Sequence, residues 1–195
     1  MIVITRPEIY EGEEEQINAL LEAESSFILH LRKPSASAEE YARLLQSVPQ
    51  RFLNRVCLCD HFELADQFEV GGVHLGGRQP SYSGGRRLRV SKSCHGFSEL
   101  EHIRDYAYVF LSPIFNSISK VGYNAAFSQD ELVAASRSHL INEKVVALGG
   151  INAETLPLLS DLGFGGVAVL GIVWKDFSVQ RFLHLVELEN KYVKK

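Results

Sequence analysis

The chain has 195 residues, of which 46% are hydrophobic and 23% charged, and 20 Lys and Arg stand against 24 Asp and Glu for a formal net charge of −4. This composition excludes a disordered chain, a collagen and a coiled coil, and the length predicts one domain over residues 1–195. The mildly acidic balance gives no chain-wide reason to bind nucleic acid or an anionic membrane, and no apolar run approaches the roughly 20 residues that span a bilayer.

The N-terminus and the cysteines favour a cytoplasmic protein. The first residues lack the basic region and the long apolar run of a signal peptide. The three cysteines, Cys57, Cys59 and Cys94, are an odd number, as expected of reduced thiols. Cys57 and Cys59 share one face of a strand, but their spacing is narrower than in most structural zinc sites, so buried free thiols are the favoured interpretation.

Short β-branched or apolar runs recur along the whole chain and predict strands. These runs cover residues 2–5, 27–31, 55–59, 72–75, 88–91, 106–111, 144–148 and 165–170. Several of them are apolar at every position, which suits parallel strands that are covered on both faces.

Segments with apolar residues three and four apart lie between the strands and predict helices. These segments cover residues 13–23, 37–48, 63–68, 98–104, 129–139, 153–162 and 178–188. Ser37 and Ser178 are candidate N-caps, while residues 78–87 are rich in Gly, Pro and Ser and predict an irregular loop. Eight strand–helix units predict a parallel (β/α)8 TIM barrel, because a doubly wound sheet usually needs fewer strands.

In such a barrel, ligands bind where strands end and the following loops begin. Gly149 and Gly150 follow the seventh strand and Gly171 follows the eighth, where barrels commonly hold a phosphate on backbone N–H groups. The alternative for the two adjacent glycines is a tight turn without a ligand. Arg32 follows the second strand, where a guanidinium would bind an anion.

Other polar residues near strand ends have two interpretations each. Ser117, Ser119 and Lys120 offer two hydroxyls and an ammonium after the sixth strand, either as an anion site or as a solvated loop. His74 lies inside an apolar strand, where a hydrogen-bonded core histidine is commoner than a catalyst.

Taken in chain order, these motifs resemble the thiamin phosphate synthases and their TenI-type relatives over nearly the whole chain. SPIFNSISKVG is similar to the family motif GPI(F)xTxTKxG after strand 6, and ALGGI with GVAVLG is similar to its AIGGI and GVAVxSAI motifs. FILHLRKPS resembles the family's QxRxK strand, DHFELADQFEVGGVHLGGRQP resembles NDxxxLALxxxADGVHLGQxD, and RVSKSCHGFSELE resembles GxSxHxxxE.

The resemblance implies a transferase that joins hydroxymethylpyrimidine diphosphate to thiazole phosphate and releases diphosphate, with Mg²⁺ as cofactor and these small phosphorylated molecules as partners. It also implies roles for individual residues. The diphosphate would be held by Arg32, Ser117, Ser119 and Lys120, and the catalytic residues would be Arg32, Ser93 and Lys120. Asp60 would bind Mg²⁺, and the thiazole phosphate would be bound by Gly149, Gly150, Leu170 and Gly171. Ser93 would lie near the pyrimidine and the leaving group.

The chain departs from the family pattern at several of these positions. The family's Lys in QxRxK aligns with Pro34, so only the neighbouring Lys33 would compensate for it. The Asn before the metal-binding Asp is Cys59, the second metal-binding Asp aligns with Gln79, and the family's Ser after strand 8 is Gly171. With one carboxylate instead of two, we expect weaker Mg²⁺ binding.

Two alternatives stay open at this point. A TenI-type thiazole tautomerase would use a His after strand 6, but Pro113 stands there, so His30, His74 or His95 would have to transfer the proton. A non-catalytic binder of thiazole phosphate or thiamin phosphate would keep the phosphate site without the diphosphate site. The sequence also leaves open whether the chain forms a homo-oligomer.

Overall fold

The fold is a closed barrel of eight parallel strands, as predicted. The computed structural model describes residues 1–116 and 125–193. Each strand pairs with its neighbour in the chain, and β1 pairs with β8 to close the barrel. The strands are β1 (Ile2–Ile4), β2 (Ile28–Leu31), β3 (Val56–Leu58), β4 (Gly72–Leu75), β5 (Arg89–Cys94), β6 (Tyr108–Leu111), β7 (Val145–Leu148) and β8 (Gly166–Val169).

Helices and short 3₁₀ turns surround the barrel. The α-helices are α1 (Glu13–Ala23), α2 (Ala38–Ser47), α3 (Gln50–Leu53), α4 (Gln129–Arg137), α5 (Gly171–Trp174) and α6 (Val179–Tyr192), and the 3₁₀ helices are Phe62–Asp66, Phe97–His102 and Leu156–Leu159. None of the helices within the described ranges combines the length and the apolar character that crossing a membrane requires.

The predicted elements differ from the observed ones mainly in length. The helix-like segments 63–68, 98–104 and 153–162 form 3₁₀ turns of four to six residues instead of α-helices. In the last of these, the Asn152 side chain accepts from the N–H groups of Glu154 and Thr155, and Pro157 has no N–H to donate. The helices α3 and α5 were not predicted, and the fully described residues 78–87 form neither helix nor strand, as predicted.

Two predicted N-caps are confirmed. Ser37 accepts from the N–H of Glu40, whose carboxylate accepts from the N–H of Ser37, so the pair forms a capping box at α2. Ser178 accepts from the N–H of Arg181 at the start of α6. These caps begin the helices where their apolar stripes, such as Tyr41 and Leu44 in α2, face the barrel wall.

The alternation of side chains along the strands divides the core in two. Outward-facing residues such as Val3, Leu29 and Val167 pack with the helices in one large hydrophobic cluster. A second cluster fills part of the barrel interior and consists of Ile2, Ile4, Phe110, Val146 and Ala168.

We predict that Ser37→Ala lowers the free energy of unfolding by about 1 kcal/mol, because the change removes one side of the capping box. Urea unfolding measures the effect, and Ser25→Ala, at an exposed position before β2, is the matched control. Equal stability of the Ser37→Ala and Ser25→Ala variants would contradict the role of the cap.

Candidate functional site at the carboxyl ends of the strands

The parallel strands bring their carboxyl ends to one rim of the barrel. Arg32 directly follows β2, Asp60 follows β3 by two residues, and Arg78 follows β4 by three. Backbone contacts fix the first of these residues: Thr5, fully buried, accepts from the N–H of Arg32 at 2.9 Å and donates to its carbonyl at 3.2 Å. The rim therefore gathers charged residues from three neighbouring strands.

Asp60 lies at the centre of this group. Its Oδ2 accepts from the backbone N–H of Lys33 at 2.9 Å, and its Oδ1 forms an ion pair with Nη2 of Arg78 at 3.1 Å. Asp60 is buried, while the side chain of Arg78 is 57% exposed. Both oxygens of the carboxylate therefore already have partners from the chain.

The positive charges of Arg32 and Arg78 both influence the thiol of Cys59. Burial raises the pKa of the Cys59 thiol well above its usual value, and Cys57 and Asp60 raise it further, whereas the charges of Arg32 and Arg78 oppose the shift. Two guanidinium groups from different loops therefore contribute positive potential at the rim beside Cys59.

Lys33, the residue that would replace the family's missing Lys, has its ammonium enclosed by the loop that follows β1. Its ammonium is fully buried and donates to Glu13 Oε1 at 2.5 Å, to the carbonyl of Arg6 at 2.8 Å and to that of Glu8 at 2.7 Å. All three partners lie in or after the loop that follows β1. Lys33 therefore anchors this loop and does not compensate for the Lys that Pro34 replaces.

Ser93 lies inside β5, not after it, because the strand extends to Cys94. Its hydroxyl lies 2.9 Å from Nε2 of His74, and Nδ1 of His74 lies 2.9 Å from the hydroxyl of Ser91. Burial lowers the pKa of His74 to about 3, so the ring is neutral near pH 7.

Both ring nitrogens of His74 have a hydroxyl partner. Ser91, which also donates to the carbonyl of Val73 at 3.3 Å, lies at Nδ1, and Ser93 lies at Nε2. A neutral imidazole donates from one nitrogen and accepts at the other, so His74 donates to one of the two hydroxyls and accepts from the other.

A second histidine, His30, extends the polar part of the barrel interior that His74 and its serine partners form. His30 Nε2 lies 2.6 Å from the hydroxyl of Tyr108, and Nδ1 lies 3.6 Å from Sγ of Cys59. Its ring centroid is 4.9 Å from that of His74. Burial, with smaller contributions from His74 and Arg89, lowers the pKa of His30 well below its usual value, so this polar part is neutral under the charged rim.

The structure explains why both residues after β7 are glycines, and the explanation agrees with the tight turn considered in the sequence analysis. Both have positive φ, 103° at Gly149 and 66° at Gly150. A Cβ on Gly149 would lie 2.9 Å from Cα of Pro113, and one on Gly150 would lie 2.5 Å from the carbonyl oxygen of Asn116. Backbone conformation and close packing thus require glycine at both positions, whether or not a phosphate binds there.

The remaining predicted site residues divide into two groups. Leu170 and Gly171 follow β8 at the same rim, where Leu170 is the N-cap and Gly171 the first residue of α5. Ser117, Ser119 and Lys120 lie outside the described residues.

Sequence reasoning missed Arg78, Ser91 and Tyr108. Arg78 was assigned to an irregular loop, and nothing in its local sequence indicates the contact with Asp60. Ser91 had a signal: it precedes Ser93 by two residues on a strand, so both hydroxyls face the same side. Tyr108 follows the same alternation in β6, but its partner His30 is distant in the chain.

The fold and the site define a (β/α)8 barrel protein with a cationic rim above a neutral polar interior. Residues 1–173 match the model of the family described as thiamine monophosphate synthase. A solved structure of thiamine phosphate pyrophosphorylase from Bacteroides thetaiotaomicron is 36% identical with a TM-score of 0.86, and the match covers 96% of each chain.

Curated proteins of similar sequence point to the same family. A thiamine-phosphate synthase of Limosilactobacillus reuteri is 32% identical over 59% of this chain, and the match spans 56% of that relative's length. A thiamine-phosphate synthase of Bacteroides fragilis is 28% identical over 74% of this chain and 78% of its own. The chain belongs to the thiamine monophosphate synthase family.

We predict that the two buried histidines make the fold sensitive to mild acid. Both have a pKa near 6.5 in the unfolded chain, and folding lowers the pKa of His74 to about 3 and that of His30 well below 6.5. The unfolded state therefore binds more protons below pH 6.5, and the free energy of unfolding falls as the pH falls from about 6.5 to about 5. Each histidine contributes a slope approaching about 1.4 kcal/mol per pH unit.

Urea unfolding at a series of pH values measures this slope. His74→Gln should reduce it, and His102→Gln, at an exposed position on the outside of the barrel, is the control. An unchanged slope in the His74→Gln variant would show that His74 is not held neutral.

Proposed function

We propose that this protein is a thiamin phosphate synthase, a transferase of thiamin biosynthesis (a thiamine-phosphate diphosphorylase) that joins hydroxymethylpyrimidine diphosphate to thiazole phosphate and releases diphosphate. The observation that carries the proposal is the cationic rim formed by Arg32 and Arg78, in a chain that shares 36% identity over 96% of its length with a thiamine phosphate pyrophosphorylase. Its partners in this proposal are small phosphorylated molecules in the cytoplasm.

The proposed reaction begins with loss of the leaving group. The C–O bond between the pyrimidine methylene carbon and the diphosphate breaks, and its electron pair leaves with the diphosphate oxygen. The ring nitrogen of the thiazole then gives its lone pair to the methylene carbocation, which forms the new C–N bond. Negative charge develops on the leaving group, so the step needs positive groups at the rim more than a nucleophilic side chain.

Arg32 is the described residue that would bind the diphosphate. Its backbone is clamped by Thr5, and its side chain is half-buried at the rim. In this proposal Ser117, Ser119 and Lys120 supply two hydroxyls and a further cation from the loop after β6.

Ser93 would orient the pyrimidine. Its hydroxyl is held 2.9 Å from Nε2 of His74, near the carboxyl end of β5. In this proposal the hydroxyl contacts the pyrimidine beside the leaving group.

The thiazole phosphate would bind at Gly149, Gly150, Leu170 and Gly171. These residues follow β7 and β8, where barrels of this type commonly hold a phosphate. The positive φ of both glycines after β7 turns that backbone sharply at the rim.

The residues present do not fit the Mg²⁺ ion that the resemblance implies at Asp60. Both oxygens of Asp60 already accept hydrogen bonds from the chain, and the aligned second position is the neutral Gln79. The described residues contain no group of three His, Cys, Asp or Glu that would hold a metal. In the proposed mechanism, side-chain cations therefore neutralise the leaving group.

The decisive test is incubation of the pure protein with both substrates and Mg²⁺, followed by measurement of thiamin phosphate. Arg32→Ala should lower the turnover by about 10²- to 10³-fold, since it removes a cation at the departing diphosphate, and Lys120→Ala should do likewise. Arg43→Ala, at an exposed position of α2, is the control. If the parent protein forms no thiamin phosphate, the proposal fails.

We also predict that Gly171→Asp weakens the binding of thiazole phosphate by about tenfold or more, because a carboxylate would repel the phosphate at a partly buried rim. An acidic residue in the first turn of α5 is compatible with the helix, so circular dichroism should stay unchanged. Calorimetric titration with thiazole phosphate measures the affinity. Unchanged affinity would exclude a phosphate site at Gly171.

A further inference from the structure

We propose that the guanidinium of Arg78 occupies the position of a divalent cation at Asp60, so that departure of the diphosphate does not require Mg²⁺. The identity of the leaving group rests on the proposed function. The role of Arg78 rests on contacts within this chain.

The first observation is the occupation of Asp60. This buried carboxylate is the one acidic residue that follows the family pattern for the metal. Its Oδ1 pairs with Arg78 at 3.1 Å, and its Oδ2 accepts from the N–H of Lys33 at 2.9 Å. A metal ion at Oδ1 would lie beside the guanidinium of Arg78 and be repelled by its positive charge.

The second observation is how the loop holds Arg78. Gly76 and Gln79 exchange two backbone hydrogen bonds of 3.0 Å, which closes a tight turn with Arg78 inside it. The turn follows β4 directly, and β4 lies next to β3, which ends two residues before Asp60. The arginine is therefore held over the carboxylate by the backbone and not only by its own flexible side chain.

The third observation is that the guanidinium still has donors to offer. One Nη2–H of Arg78 points at Asp60, but the side chain is 57% exposed. A guanidinium carries five N–H donors in a planar fork, so it can contact a carboxylate on one edge and phosphate oxygens on another. A metal ion between a carboxylate and a diphosphate makes the same two kinds of contact.

The charges around Asp60 also agree with this role of Arg78. One carboxylate and one guanidinium sum to zero, and Gln79 adds no charge where the family has a second carboxylate. Arg32 contributes a further positive charge in the same neighbourhood. When the C–O bond breaks and the electron pair passes to the diphosphate oxygen, the new charge meets these two cations.

The experiment compares four proteins with and without metal. They are the parent chain, Arg78→Gln, the double variant Arg78→Gln/Gln79→Asp and the control Arg87→Gln, which makes the same exchange at an exposed arginine further along the loop. Formation of thiamin phosphate is measured in excess EDTA and in millimolar Mg²⁺. Binding of Mn²⁺ alone is measured by electron paramagnetic resonance, without substrates.

We expect the parent and Arg87→Gln to turn over equally with EDTA and with Mg²⁺, and to show no saturable binding of Mn²⁺. Arg78→Gln should lose about 10²-fold in turnover in EDTA. The double variant should bind Mn²⁺ and recover activity with Mg²⁺ only, because two carboxylates then face the site without a competing guanidinium.

Two results would overturn the proposal: turnover of the parent that vanishes in EDTA and returns with Mg²⁺, or Mn²⁺ binding to the parent as tight as to the double variant. If no protein forms thiamin phosphate under any condition, the proposed function fails, and the Mn²⁺ titration still decides whether Arg78 holds the cation position.

Discussion

The pairing of β1 with β8 closes the barrel, with Ile2 opposite Ala168 and Val3 opposite Val169. Closure forces eight carboxyl ends onto one rim, so residues as distant in the chain as Arg32 and Gly171 become neighbours of the same opening. It also encloses an interior in which side chains such as His30 and Phe110 are shielded from water. The charged rim and the neutral interior are both consequences of this one constraint.

The interior is not uniformly apolar. Ile2, Val146 and Ala168 fill one side, whereas His30 and His74 with their hydroxyl partners fill the other. Buried polar groups are tolerated when they are hydrogen-bonded, and each imidazole nitrogen here has a partner. Burial keeps both rings uncharged near pH 7 by lowering their pKa, and the contact with His74 holds the hydroxyl of Ser93 in place.

The fold was readable from the sequence because strand periodicity and capping are local signals. The eight strands and the box of Ser37 with Glu40 depend on residues near one another in the chain. The site was readable in part, because a strand end predicts which rim a residue occupies but not which way its side chain points. Adjacent residues show the limit: the side chain of Arg32 stays at the rim, while Lys33 turns under the first loop to meet Glu13.

The contact between Gly150 and the segment that follows β6 has a consequence for how variants of this protein are interpreted. Gly150 packs against the backbone of Phe115 and Asn116 so closely that any side chain there would push that segment outward. A substitution at Gly150 would therefore displace Phe115 and Asn116 as well as Gly150 itself. In a mutational scan Gly150 would therefore score like a residue that touches substrate, although its role in this contact is that of a spacer between two loops.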